Sequence, residues 1–482
     1  MKRRRLVLLV LAAAVAVVPE TATALSAERI ARRVDAVLER PELAGAICAV
    51  EVRDLPDGKT VFTHLAGKSL RPASVQKLIT TAAALDAFSP AARIRTTVET
   101  AARLDADGRL IGDLFLVGRG DPNLSGRFFE GRITAPFEVL ADALVAAGVR
   151  EVEGRLVGHE GLFVGDRRGD AWTWQDLVWW YGAEVSALSF NDNCADLEVA
   201  PGERPGDPIR VRRQPVSAYY EVASDAVTSP AGSEDDLTLI PALGSNRIRL
   251  AGSYPIGAPT RTLHVALEDP ALYATTVFSE VLEAHGIRHA GPVATTSLPL
   301  PEETRVLAAY EGRPLAEVVT EINKESQNLH AEMLLRLLGW QHGGEGSAEA
   351  GLEAVVNFLK RLGVDVEGFD LRDGSGLSRS NLVTVHGLVR LLVAMDRHPQ
   401  AAAFRASLPI AGVDGTLEHR LSGLGARVLA KTGTLDHTSA LAGYVSRRDE
   451  QRLAFAVILD NHTGPAGEAI AAVDDIARAL LD

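Results

Sequence analysis

The chain has 482 residues, 46% of them hydrophobic, with 50 Lys and Arg against 63 Asp and Glu, for a formal charge of -13. That length exceeds one hydrophobic core and implies two or three domains. The acidic balance argues against nucleic-acid binding, so a substrate carboxylate must be drawn by a local cation rather than by the field of the whole molecule.

At the N-terminus, Lys2-Arg3-Arg4-Arg5, an uncharged run from Leu6 to Val18 and the small residues Ala22-Thr23-Ala24 predict a secretory signal peptide over 1–24. The mature protein is then exported, to the periplasm or another extracytoplasmic surface, with at most peripheral membrane association. An uncleaved anchor is the alternative, although the run falls short of the about 20 residues that span a bilayer. No later apolar run has spanning length. Cys48 and Cys194 could form one disulfide or stay as buried thiols. They do not make a usual zinc site, and no metal or other cofactor is expected.

Next come an amphipathic helix over 27–39, a hairpin of strands 45–52 and 58–65 joined at Pro56-Asp57-Gly58, and an apolar helix starting near Ser74. About 250 residues then separate Lys77 from Ser326, too many for a loop, so a folded insertion is required. It leaves near 89–95 and returns near 298–305. Within it, alternation predicts strands at 95–101, 109–117, 152–157 and 248–254, and helices cover 136–147 and 270–285, each ending before a glycine. Beyond it, helices are expected at 313–322, 329–340, 348–362 and 384–395. Strands at 427–431, 440–446 and 452–459 follow, and a helix over 466–481 closes the chain. The expected architecture is an α/β (α+β) core of residues 25–92 and 305–482, with a five-stranded antiparallel sheet flanked by helices. Residues 93–304 form a mixed, strand-rich insertion.

Chemistry concentrates in three short segments. In Ser74-Val75-Gln76-Lys77 at a helix start, the lysine lies one turn after the serine on the same face, within reach of its hydroxyl. The free N–H of Ser74 at the positive end of the helix is a natural oxyanion donor. A lysine acts as a base only when neutral, which requires burial, a neighbouring cation, or both. Lys431 is the candidate cation. Ser326 and Asn328, two apart, aim into one cleft if they sit in a turn ahead of a helix. In Lys431-Thr432-Gly433-Thr434, strand alternation sends Thr432 to the substrate carboxylate and Lys431 behind it toward Ser326. Gly433 permits close approach to the backbone, and the Thr434 N–H is a second oxyanion donor.

This set, in this order, resembles that of penicillin-binding proteins and serine β-lactamases, with Gln327 where the middle element usually has aspartate. With Ser189-Phe190-Asn191-Asp192-Asn193, Asp373-Gly374-Ser375-Gly376-Leu377-Ser378-Arg379 and Leu408-Pro409-Ile410-Ala411-Gly412, it resembles more closely the D-alanyl-D-alanine carboxypeptidase/endopeptidase family, the class C low-molecular-mass type. The resemblance covers nearly the whole mature chain. It implies a hydrolase of D-alanyl bonds in peptidoglycan stem peptides, working through an acyl-serine that β-lactams trap. By motif, Ser74 is the nucleophile and Lys77 its base. Ser326 relays a proton to the leaving amine, Asn328 holds the acyl-donor amide, and Lys431 and Thr432 bind the terminal carboxylate. No counterpart of the class A β-lactamase glutamate is evident, which implies slow deacylation of β-lactams.

An esterase or β-lactamase on the same core, or a non-catalytic wall-binding protein, are the alternatives. Carboxypeptidase and endopeptidase action are not separated by sequence, nor is the diamino acid of the stem. Elsewhere, Arg119-Gly120-Asp121 reads as a turn, Trp172, Trp174, Trp179 and Trp180 as interdomain packing, Gly374-Ser375-Gly376 as a tight loop beside the cleft, and His330 as an ordinary helix residue.

Overall fold

Alternating apolar positions at both ends of the chain build one sheet, so the first and last residues of the fold are neighbours. The computed structural model describes residues 20–55, 57–240 and 242–481. Residues 1–19, which hold the basic head and apolar run of the expected signal peptide, lie outside them, as does Pro56 of the expected hairpin turn.

The core sheet contains β1 (Ile47–Leu55), β2 (Thr60–His64), β3 (Ile410–Ala411), β4 (Gly425–Leu435), β5 (Thr438–Ser446) and β6 (Arg452–Asp460) in the order β2-β1-β6-β5-β4-β3, every pair antiparallel. Six strands replace the expected five. The extra one is a two-residue edge whose register slips by a bulge, too short to show as alternation. On one face, Val50, Val52, Leu441, Val445, Leu453, Phe455 and Val457 pack against the terminal helices Glu20–Leu38 and Ala466–Ala479, through Ile30, Val34, Val473 and Ile476. The other face is built mainly of small residues, Ala49, Ala440, Ala442, Ala454 and Ala456. Small side chains there let the 3-10 turn Ala73–Gln76 and the helix Val385–Asp396 lie close to the sheet.

The remaining strands form separate sheets. The largest has five, Val293–Thr296, Leu156–His159, Leu114–Val117, Arg93–Thr100 and Arg305–Pro314 in spatial order, mixing parallel and antiparallel pairs. A second buried cluster, drawn entirely from residues 98–310, fills the space between these strands and the helices Ala135–Ala146 and Pro270–Ala284. The two cysteines are free and buried. Among the described residues no helix is long and apolar enough to cross a membrane.

Candidate active site

The Ser74 helix does not start as a plain α-helix. A 3-10 turn, Ala73–Gln76, precedes the α-helix Lys77–Ala87, and Ala73 ahead of the serine adopts a left-handed backbone (φ 47). Lys77 is wholly buried, and its ammonium donates to Ser74 Oγ at 2.9 Å, Asn328 Oδ1 at 2.6 Å and the Ser375 carbonyl at 2.7 Å. Burial pulls its pKa down to about 7, against the carboxylates of Asp373 and Glu332, which hold it up. Of the two expected causes, burial is the larger. Lys431 is itself held well below the ordinary lysine value by burial, with the charges of Lys77 and Arg420 adding to it.

The Gly374-Ser375-Gly376 loop is tied down behind Ser74. Gln76 Nε2 donates to the Asp373 carbonyl at 2.8 Å and Thr80 Oγ1 to the Gly374 carbonyl at 2.7 Å. Glu332 Oε1 accepts from the N–H groups of Gly374 and Ser375 at 2.9 and 2.8 Å. Gly376 is left-handed (φ 83), and a Cβ there would come within 2.0 Å of the Ala73 carbonyl.

The middle segment contributes a strained residue. Ser326 has a φ of 61 and presents Oγ to Lys431 Nζ at 2.9 Å, while Asn328 opens the helix Asn328–Gly343 and donates through Nδ2 to the Tyr181 carbonyl at 2.8 Å. Such a backbone in a non-glycine residue costs about 1–3 kcal/mol and persists only where its surroundings enforce it. Part of that enforcement comes from a residue over a hundred positions earlier. Asp192, itself left-handed between Asn191 and Asn193, accepts from Gln327 Nε2 at 2.9 Å, His330 Nε2 at 2.9 Å and Arg127 at 2.7 Å. Burial pushes the Asp192 carboxylate up, but the charge of Arg127 and the His330 bond outweigh it and leave it well below the usual range. Burial likewise lowers the pKa of His330. His330 is thus no ordinary helix residue. Its partner stands in the Ser189–Asn193 motif, and only the fold brings the two together.

On β4, Lys431 and Thr432 point to opposite sides as alternation requires. Lys431 reaches Ser326, and Thr432 Oγ1 lies 2.8 Å from Thr416 Oγ1, a residue absent from the expected set. Gly433 also has a role within the fold. A Cβ there would meet the Pro72 carbonyl at 2.8 Å and the Ser74 and Val75 nitrogens at 3.1 Å, so the glycine admits the Ser74 turn against the strand. Ser74, Ser326, Asn328, Thr416 and Thr434 line one open cleft of about 650 Å³, walled on its far side by Tyr181 and Arg379. All eight residues singled out in the three motifs therefore meet at or directly behind this cleft. Two other readings are also informed by contacts. Trp172 Nε1 donates to Asp373 Oδ2 at 2.9 Å, and Asp121 of the Arg-Gly-Asp tripeptide is buried.

A family model for the D-Ala-D-Ala carboxypeptidase 3 (S13) family matches residues 30–480. The chain belongs to that family. It is a serine-type D-Ala-D-Ala peptidase. It is similar to the D-alanyl-D-alanine carboxypeptidase of Actinomadura sp. (strain R39), with 37% identity over 465 residues, covering 93% of this chain and 84% of that one. It is 26% identical over 400 residues to the D-alanyl-D-alanine carboxypeptidase DacB of Haemophilus influenzae, covering 81% and 80%. The crystal structure of penicillin binding protein 4 (dacB) from Haemophilus influenzae superposes with a TM-score of 0.80 at 23% identity, covering 93% of this chain and 99% of that one. That protein has also been solved in complex with a β-lactam. The S13 chain therefore has the mixed α/β fold of penicillin binding protein 4.

Proposed function

We propose that this S13 peptidase uses Ser74 as its nucleophile and neutral Lys77 as the base that takes the hydroxyl proton. The observation that carries this is the 2.9 Å contact between Ser74 Oγ and a fully buried amine whose pKa sits near 7. A base of that pKa is half neutral at neutral pH, where an ordinary lysine is almost wholly protonated. Ser74 Oγ attacks the carbonyl of the penultimate D-alanine, and the oxyanion is met by the N–H groups of Ser74 and Thr434. The C–N bond breaks as the departing nitrogen receives a proton through Ser326, which Lys431 holds in place. The terminal carboxylate lies against Thr432, with Gly433 keeping strand and nucleophile close, and Lys431 supplies the attracting charge. Asn328 orients Lys77 through its oxygen and holds the acyl arm's amide through the nitrogen that Tyr181 occupies in the free protein. Water then cleaves the acyl-Ser74 ester with Lys77 again as base.

The substrate in this reading is the D-alanyl bond of peptidoglycan stem peptides, and β-lactams acylate the same serine. The compartment is extracytoplasmic, in keeping with the N-terminal pattern and with relatives named as carboxypeptidases. The separate buried cluster within 98–310 supports an inserted unit between two halves of one catalytic domain. Pairing of Arg305–Pro314 with Arg93–Thr100 favours a return point at Pro314 rather than 305.

The test is labelled penicillin followed by peptide mapping. Stoichiometric label on Ser74, absent in Ser74→Ala, is the expected result, and folded protein with unlabelled Ser74 overturns the assignment. Weighing the products from purified muropeptides separates loss of one alanine from splitting of a cross-linked dimer.

A further inference from the structure

Beside the catalytic cleft lies a second and larger cavity, of about 800 Å³. The segment Glu325–Asn328 is the partition between the two. Ser326 and Asn328 line the cleft with Ser74, whereas Gln327 between them lines the second cavity, and Glu325 and Trp180 belong to both. The cavity lining is mainly acidic. Asp192, Asp196, Glu198, Glu321 and Glu325 line it against one guanidinium, Arg127. Arg127 is already shared between Asp192 and Glu321, and His264 is taken by Asp196 at 2.6 Å. Among the described residues the Glu325 carboxylate makes no hydrogen bond or ion pair, only longer-range charge contact with Arg127 and Lys431. Glu198 is paired with Arg212 outside the cavity lining. Burial raises the pKa of Glu321 in spite of Arg127, and the nearby carboxylates Glu325 and Asp192 add to it.

The wall also contains an unused acceptor. Gln327 is 4% exposed, and its Nε2 is committed to Asp192. A carboxylate can only accept, so that bond fixes which way round the amide sits. Its Oε1 is left buried with no partner. An orphan acceptor in a carboxylate-lined cavity calls for a ligand that brings both N–H donors and positive charge.

We infer that this cavity is a subsite for the departing residue of the substrate, selecting a D-residue whose side chain carries an ammonium group. The inference rests on the acyl-serine reading above, in which the departing residue lies against Ser326 and Thr432. Glu325 is next to Ser326, so a side chain longer than the methyl of D-alanine passes Glu325 and the Trp180 ring into the cavity, where the ring adds a cation–π contact. D-Alanine leaves the cavity unused; a residue bearing a second amine fills it. In the step itself the bond to Ser74 Oγ forms, the C–N bond to the departing residue breaks, and that nitrogen takes the proton released by Ser74.

The experiment compares peptides with one acyl arm and the terminus D-alanyl-D-X, where X is D-alanine, D-lysine or Nε-acetyl-D-lysine, with release of X measured by mass. Wild-type protein is expected to show kcat/KM at least about fivefold higher for D-lysine than for its acetylated form, an advantage that shrinks with added salt. Glu325→Gln and Glu321→Gln are each read only as the ratio of the two lysine substrates, which a general loss of activity leaves unchanged. The ratio falls toward one in at least one of them. A ratio near one in wild type, or an undiminished ratio in both variants, overturns the subsite. Failure of the underlying reading looks different: no X is released from any peptide, and penicillin leaves Ser74 unlabelled.

Discussion

In the proposed mechanism acylation of Ser74 follows the titration of Lys77. With a pKa of about 7 the amine is neutral in about a tenth of molecules at pH 6, half at pH 7 and nearly all at pH 8. The second-order rate of acylation by a fluorescent penicillin should therefore rise about tenfold from pH 6 to pH 8 and then level off. The sign follows from burial: the folded protein disfavours the charged amine, so activity is gained as pH rises through the depressed pKa. A second group complicates the curve. Glu332 is fully buried beside the loop that Lys77 touches, and desolvation raises it to about 7 as well, so the wild-type rise is broadened by two coupled titrations. Glu332→Gln separates them. Glutamine retains the oxygen that accepts from Gly374 and Ser375 but loses the charge that holds the Lys77 pKa up. The variant's profile should be steeper, with its midpoint displaced to lower pH. Stopped-flow acylation across about pH 5.5–9 decides it. A wild-type midpoint near the ordinary lysine value, or a displacement to higher pH in Glu332→Gln, refutes the assignment of Lys77 as base.

Four further outcomes are expected. Gly433→Ala drives a methyl into the Pro72 carbonyl and the Ser74 nitrogen and should slow acylation by roughly 100-fold while leaving the circular dichroism spectrum unchanged. Asp192→Asn leaves Arg127, His330 and Gln327 competing for one acceptor. It should destabilise by about 3 kcal/mol in urea unfolding and slow acylation of the folded protein, whereas a purely structural residue would leave that rate alone. Thr416→Val removes the hydroxyl beside Thr432, and KM for a D-alanine-terminated peptide should rise about fivefold with kcat little changed. Burial pushes the Cys48 thiol up to about 12 and Cys194 well above its usual value, so a thiol reagent at pH 8 should label neither until the protein unfolds.

How much was legible in sequence depended on the range of the interaction. Ser74 and Lys77 declare themselves because one helical turn sets their geometry, and Lys431 and Thr432 because strand alternation does. The long helices and the strands β1, β5 and β6 were readable from periodicity, since each buries at least one continuous face. Thr416, Asp192 and His330 were not legible as parts of the site. Thr416 lies in a three-residue 3-10 turn, Gly415–Leu417, too short for a period, and Asp192 meets Gln327 across 135 positions of sequence, where no local pattern can signal the contact. Many short strands of residues 93–304, such as Glu151–Val152 and Thr238–Ile240, have two to five residues, too few for alternation to stand out.

The placement of strain says how the insertion and the peptidase core depend on each other. Ala73 and Ser326, directly ahead of the nucleophile and beside its partner loop, both hold left-handed backbones that glycine would adopt at less cost. Glycine at 326 would remove the hydroxyl that Lys431 holds, so the chemistry requires a side chain where the backbone resists one. The energy to keep Ser326 there must come from contacts on either side of it. One is the buried Lys431 of the core sheet; the other is Asp192, contributed by the insertion and itself left-handed, which locks Gln327 and His330. An insertion that only decorated the surface would have no reason to carry three consecutive left-handed residues into that contact. In the proposed division of the chain the Ser326 loop is held from both sides, by the core sheet and by the insertion, which ties the insertion to the proposed acylation as well as to the shape of the cleft.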